Sequence, residues 1–568
     1  MVLKRRSFII FIISLFFSSL QRLICVLFNS EKRLEKINCK LNIQKVESHY
    51  IYKKSNNIYL TPITNKKLES WTDEVPYNIY TDHFRNDLYQ NLEDLIGFHN
   101  QIVNVTNFGA QSGTYVKHQF EAAVEATPPG GTLIIPEGTW LINNWEIKKS
   151  IRILCYGTLK RVDFGESGQV RSNYMVRLSS PCMWDGGLFD SNFRSWKAGE
   201  TSNRLYLLRN SSNSIIRNIQ ATDCARKQDG YNWGGFRNEN GNSYWENCSA
   251  EYAARCFSNQ AFHQMYSEKE SGEIDVFKGV YYYKCSALNF TEKGFDSGGS
   301  HGWIVYDNCD GHRIRQVKPN SNNADALFLL ETGNDNKLHS AIIKNCRVEG
   351  HHSAQMIKSS GVKYMIMADN HLVTWGFFNN SVNQPGRIYF AQIKSTPQHA
   401  GTFEKTIGIF LNNHFECRNF DDGINTYFPN ITGRCHPLTS NWNGLRQIRD
   451  LTSEFYLYNC TIKMEGIRSD RYSLELKNFY AESCTFIKVL SGNAFQYFRP
   501  RGIDLKPNEG YRYQFKNCTF MDESGNNTWV VDIDDQNGGS FEKGVITVHE
   551  PKGNFRAGVA PSYMNISE

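Results

Sequence analysis

From Val105 onward, short runs of alternating apolar and polar residues are separated by turn residues, and one phrase keeps returning among them. It reads Glu246-Asn247-Cys248, Tyr283-Lys284-Cys285, Asp307-Asn308-Cys309, Lys344-Asn345-Cys346, Asp369-Asn370-His371, Asn412-Asn413-His414, Tyr458-Asn459-Cys460, Glu482-Ser483-Cys484 and Lys516-Asn517-Cys518. Its Cys or His positions lie 37, 24, 37, 25, 43, 46, 24 and 34 residues apart. Repeats of this size are solenoid coils, the short intervals bare and the long ones carrying inserted loops. An Asn before an inward small residue fits a tight corner, where its amide can bond to the next coil and its backbone can take a positive φ. Ligands on successive coils at one corner would form a line and not a tetrahedron, so the pattern predicts packed thiols, with no metal and no cofactor.

The first coil is announced by its own pattern. Val105-Thr106-Asn107-Phe108-Gly109-Ala110 is followed by Phe120-Glu121-Ala122-Ala123-Val124 and then by the run from Pro128-Pro129-Gly130-Gly131 through Leu133-Ile134-Ile135-Pro136-Glu137-Gly138-Thr139-Trp140. This order predicts a short strand, a capping helix around Phe120 to Val124, a tight turn and the first coil strand. The stretch resembles the opening of the pectin-lyase-like (pectate-lyase superfamily) proteins, where an FGA, a short amphipathic helix and a PGGTLIIPEGTW run begin the solenoid. The resemblance implies an all-β fold, a right-handed single-stranded parallel β-helix with an N-terminal capping helix, and a polysaccharide as the substrate class. Gln111-Ser112-Gly113-Thr114-Tyr115 stands where that family often has Gly-Asp-Gly and paired Asp. The polygalacturonase-like motifs have only scattered counterparts, Ser300-His301-Gly302, Arg313-Ile314-Arg315, Asn323-Ala324-Asp325 and Asp421-Asp422, in the wrong order. No catalytic residue carries over from the family by motif, and fold alone does not assign chemistry.

The remaining chain divides around this body. Lys4-Arg5-Arg6 ahead of the apolar run Phe8 to Phe17 resembles a twin-arginine export signal, with an uncleaved membrane anchor as the other reading of residues 1–30. Residues 31–100 have no assignable role, although Trp71 to Asn100 reads as partly helical. The β-helix is expected over 101–535, with a tail or cap over 536–568. The protein is expected in the periplasm or outside the cell, held there by its N-terminal segment if that segment is not removed.

Composition narrows the partners. A net charge of +6 from 63 basic and 57 acidic residues is too small, at 568 residues, to indicate nucleic acid. Fifteen cysteines in an exported chain would ordinarily indicate disulfides. There is no CxxC pair, and the repeated context predicts reduced, buried thiols instead.

Chemistry is sought where equal depth in successive coils becomes adjacency. Aligning the doublets Phe257-Ser258, Phe295-Asp296, Leu330-Glu331, Ile357-Lys358, Ile393-Lys394 and Ile424-Asn425 gives one outward column: Ser258, Asp296, Glu331, Lys358, Lys394 and Asn425. The near-repeat of Gln355-Met356-Ile357-Lys358-Ser359 as Ala391-Gln392-Ile393-Lys394-Ser395 supports that register. Asp296 and Glu331 become neighbouring carboxylates, candidates for acid and nucleophile in glycoside cleavage. Lys358, Lys394, His301, Asp229 and Trp233 are candidate substrate-binding residues, the last for its aromatic face toward sugar rings. The competing reading of the column is a charge ladder that only stabilises the strands. Three functions remain open: a glycoside hydrolase or polysaccharide lyase acting on an extracellular or capsular, acidic glycan; a non-catalytic exopolysaccharide biosynthesis or export protein; and a phage-type tailspike depolymerase, which would be a homotrimer.

Overall fold

The computed structural model describes residues 82–162, 174–192, 205–224, 234–239, 242–259, 279–290, 292–297, 302–312, 326–331, 338–352, 355–360, 362, 364–375, 387–394, 407–418, 434–440, 454–466, 474–475, 478–490, 496–498, 512–522, 529–531, 546–549, 552–553, 555–557 and 564–567. The targeting segment and most of residues 31–100 lie outside them. Among the described residues there are two α-helices, α1 (Asp82–Ile96) and α2 (Lys117–Ala126), and every paired strand pairs in parallel with the strand one coil away. Neither helix is long and apolar enough to cross a membrane.

The wall of the solenoid consists of a long sheet of sixteen strands, a second sheet of eleven, and two sheets of seven that share the remaining side, one along the first half of the chain and one along the second. A further three-stranded sheet lies near the C-terminus. This is the right-handed single-stranded parallel β-helix expected from the repeat, with α2 beneath its first coil. Phe120 of α2 packs against Trp140 and Trp145, closing the N-terminal end of the core. Pairing in the long sheet continues through Ile546–His549 and Met564–Ser567, so the strand ladder runs on past residue 535.

Each coil buries one column per sheet. In the long sheet Trp184, Ile216, Trp245, Tyr282, Tyr306, Ile343 and Met367 follow one another in register on the inside. In the second sheet Phe236, Phe257, Phe295 and Phe328 do the same, with Phe257 on Phe295 and Phe295 on Phe328 stacked ring to ring at 4.9 and 5.3 Å. Parallel identical rings fix the register, because a slip by two residues would break the stack.

The corner between the long sheet and the next strand is the repeated phrase. Asn247, Lys284, Asn308, Asn345, Asp369, Asn412, Asn459, Ser483 and Asn517 all take positive φ between 50° and 56°. Their amides link coils where both partners allow it: Asn247 Nδ2 donates to Asn218 Oδ1 at 2.9 Å, and Asn459 Nδ2 to Asn412 Oδ1 at 3.0 Å. The residue after each points inward. Seven of these nine inward places are Cys248, Cys285, Cys309, Cys346, Cys460, Cys484 and Cys518, all buried and unbridged. Each thiol donates to the carbonyl two residues earlier, at 3.3–3.7 Å, so no polar hydrogen is wasted. Burial pushes the Cys155 and Cys182 thiols up to about 12.

Two coils depart from the expected alignment. His371 and His414 do not occupy the cysteine column; Asn370 and Asn413 do, and the positive-φ place passes to Asp369 and Asn412. The two buried amides satisfy each other and the wall: Asn370 Nδ2 donates to Asn413 Oδ1 and to Ile343 O, both at 2.8 Å, and Asn413 Nδ2 donates to Met367 O at 2.9 Å. The histidines fall one place later and stack on each other at 4.6 Å.

Candidate functional site

A one-layer wall has an outside as well as an inside, and its two largest sheets differ there. On the long sheet the outward column runs Met183, Ile215, Tyr244, Tyr281, Val305. These residues are buried because α1 lies across this face. Tyr89 meets Tyr244 edge-on at 5.3 Å, and Phe84 meets Trp303 at 5.1 Å. Gly279, next to Trp303 in register, has no Cβ because one would run into that indole. Ion pairs fasten both ends: Glu93 with Arg152 at 3.2 Å, and Asp82 with Lys344 at 3.5 Å. Asp307 sits under the same end, taking the Tyr281 hydroxyl at 2.7 Å and Lys344 at 3.3 Å.

The second sheet carries charge outside. Its outward column reads Glu146, Arg177, Arg209, Arg237, Ser258 and Asp296, and its backbone register continues through Leu329, Lys358 and Gln392. Asp296 is completely buried, with Arg255 Nη1 at 2.9 Å and Lys293 Nζ at 3.6 Å from its oxygens. Arg255 reaches Glu292 as well, at 3.1 Å. Burial opposes the Arg255 charge, but Asp296, Tyr206 and Glu292 outweigh it and hold the guanidinium above its usual range. Ser258 Oγ, beside Asp296 on the neighbouring strand, is buried with no hydrogen-bond partner among the described residues.

This register corrects the column read from the sequence. Asp296 pairs with Leu329, and Glu331 pairs with Ser360. Lys358 pairs with Gln392, while Lys394 pairs with Ser360. Asp296 and Lys358 therefore share one column, whereas Glu331 and Lys394 share another, two residues further along the strands. The slip arose because Leu327-Phe328-Leu329-Leu330 offers apolar residues at every position, and Leu330 was taken for the partner of Phe295 when the stacked Phe328 holds that place. One coil later the small Ala391, and not Ile393, lies opposite Ile357. Glu331, Lys358 and Lys394 are placed by strand register. His301, Asp229, Trp233 and Asn425 lie outside the described residues.

Sequence reasoning passed over Arg177, Arg209 and Arg237. Their signal was present in Val176-Arg177, Leu208-Arg209-Asn210 and Phe236-Arg237-Asn238, apolar-Arg doublets whose inward asparagines Asn210 and Asn238 bond to each other at 2.8 Å. Lying ahead of the regular Asn-Cys coils, they fell outside the alignment.

No family model matches the chain, and no curated protein matches it. Among solved structures, the A-module of the mannuronan C-5 epimerase AlgE4 from Azotobacter vinelandii is similar over 82% of this chain and 100% of its own, at 13% identity and a TM-score of 0.40. The surface protein and adhesin PfbA of Streptococcus pneumoniae is similar over 82% and 97%, at 10% identity and 0.36. The N-terminal fragment of bacteriophage Phi29 gene product 12 is similar over 82% and 69%, at 14% identity and 0.41. At these identities and TM-scores the likeness carries no argument about this chain. By its own strand order, corner and cap, the chain is a right-handed single-stranded parallel β-helix.

Proposed function

We propose that the protein cleaves an acidic polysaccharide along the outward face of the second sheet, by hydrolysis with inversion. The observation that carries this reading is the diagonal from Asp296 to Glu331: adjacent strands, two residues offset. With strands ~4.8 Å apart and residues ~3.3 Å apart along them, the two Cα atoms lie about 8 Å from each other. With both side chains standing off the sheet at that spacing, the carboxyls suit a single displacement, in which a water fits between acid and base, better than the roughly 5 Å carboxyl separation of a covalent glycosyl mechanism. Asp296, bracketed by Arg255 and Lys293, is assigned as base, and Glu331 as acid. Lys358, one column with Asp296, and Lys394, one column with Glu331, would bind acidic groups further along.

One observation favours a second reading, binding without cleavage. Asp296 is wholly buried and both its oxygens face cations, as a purely structural counter-ion would be. Product analysis separates the two. An initial product of inverted anomeric configuration, seen by proton NMR during digestion of a polyuronate, supports hydrolysis at this diagonal. Retained configuration or an unsaturated uronate product would sink the assignment, and an intact polymer would leave binding alone. Export through the N-terminal leader belongs to the same proposal; the Arg5→Lys, Arg6→Lys double variant should stay in the cytoplasm, and its unchanged export would remove the twin-arginine reading.

A further inference from the structure

We propose that the residues leading into α1, Ser70 to Thr81, lie along the long sheet as an extended strap that carries the seal of α1 onward to the coil of Tyr480. The strap is independent of any chemistry on the second sheet. The contacts of α1 give its direction along the solenoid. Glu93 meets Arg152, Tyr89 meets Tyr244, Phe84 meets Trp303 and Asp82 meets Lys344, so residue number falls along the helix as the coils advance. The chain before Asp82 therefore enters from the side of the later coils. Beyond Val305 the same outward column continues there through Ile342, Ile366, Ile409, Tyr456 and Tyr480. These residues alternate along their strands with the inward Ile343, Met367, Phe410 and Leu457.

A bare outer wall would leave this column in water, since side chains of one layer cannot cover one another from above. Yet Ile342, Ile366, Ile409 and Tyr456 keep only 2%, 8%, 0% and 4% of their exposure. α1 begins short of them, and every described strand is part of a stacked sheet, so no described element lies over this part of the face. The burial is present within a single chain, and the cover is therefore a segment of this chain and not of a partner. The covered stretch also has an end: one coil past Tyr480 the column turns polar at Gln514, which is exposed. From Ile342 to Tyr480 are four coil spacings, ~19 Å at ~4.8 Å each, which six extended residues span at ~3.3 Å apiece. Twelve residues run from Ser70 to Thr81. In an extended chain Val75, Tyr77 and Ile79 fall on one side, with Glu74, Pro76 and Asn78 on the other. Pro76 biases Val75 toward the extended region, and its missing N–H costs nothing in a segment that crosses the strands and pairs with none of them.

The test is photocrosslinking of the full-length protein with benzoylphenylalanine in place of Tyr77. The expected products are intramolecular and join residue 77 to peptides containing Tyr364–Ala368, Ile407–Leu411, Glu454–Tyr458 or Asn478–Glu482. Crosslinks to another part of the chain, or to a second copy, would overturn the strap. Tyrosine nitration, read by peptide mass spectrometry, gives an independent measure. In the wild type Tyr364 and Tyr456 should react at least about tenfold more slowly than the exposed Tyr156. The triple variant Val75→Asp, Tyr77→Asp, Ile79→Asp should bring both close to the rate of Tyr156, while Tyr244 and Tyr281 beneath α1 stay protected. Unchanged protection of Tyr364 and Tyr456 in that variant would assign the cover to another segment, and rapid nitration of both in the wild type would show an open face; either result removes the proposal. A triple variant in which Tyr244 and Tyr281 also react has lost its fold, and the crosslink then decides alone.

Discussion

The outward faces of the long sheet and the second sheet are built on the same coils, yet one is apolar and sealed by α1 while the other is lined with arginines and acids. In a solenoid the inward columns all serve one purpose, to fill the core, so they distinguish nothing. The outward columns are where the chain spends residues differently. Tyr244, Tyr281 and Val305 are apolar outside because a helix covers them; Arg177, Arg209 and Arg237 are charged outside, where they meet the Glu239 carboxylate and the rings of Tyr174 and Tyr206. Function is sought on the second face for that reason.

This contrast can be broken by mutation, beginning with the sealed face. Trp303→Ala removes a buried indole from under Phe84 and should cost about 3–5 kcal/mol in denaturant unfolding. A loss under 1 kcal/mol would mean that α1 is not packed on the long sheet as described. On the charged face Asp296→Asn removes the buried charge that faces Lys293 and leaves Arg255 with Glu292 alone, and should cost about 3 kcal/mol. Asp296 is outward in register but closed off from water, so unchanged stability would contradict its burial among these cations.

The third variant concerns the inward column, where the two faces share a wall. Asn370→Ala strands the Cys346 amide and leaves Asn413 Oδ1 with only the backbone N–H of residue 370, and should cost about 2 kcal/mol. The double variant with Asn413→Cys should recover part of it by extending the cysteine column, and a further loss would mean that the amide pair is not equivalent to the thiols. The smallest effect is set by pH. Cys155 and Cys182 ordinarily ionise near 9, and burial raises them to about 12 in the folded chain. Their contribution is complete below 9 and is lost as pH rises toward 12, because only the unfolded chain releases those protons. Between about pH 9 and 10 this amounts to about 1 kcal/mol per thiol. Stability flat across that interval would contradict the burial of both.

The coil repeat, the cap and the reduced cysteines were legible because each rests on a local constraint: a positive φ after the long-sheet strand, a helix with Phe120 facing the core, a small residue at each corner. Where a histidine followed the corner, the same phrase misled by one residue, since Asn370 and Asn413 could serve as either the turn or the inward residue. The site was legible only as a sheet. Its register depends on which apolar residue stacks on which, and Phe328 against Leu330 cannot be decided from apolar character alone. The arginine row escaped notice because its three members are far apart in sequence and meet only through the strand pairing of Tyr206–Asn210 with its two neighbours.

The central claim, that the second sheet's outward face cleaves an acidic glycan, is tested most directly by incubating a polyuronate with wild-type protein and with Glu331→Gln, and following chain length by gel filtration. The account predicts shortening by the wild type and none by Glu331→Gln, at equal unfolding midpoints. Equal shortening by both proteins, or an intact polymer with the wild type, would contradict it.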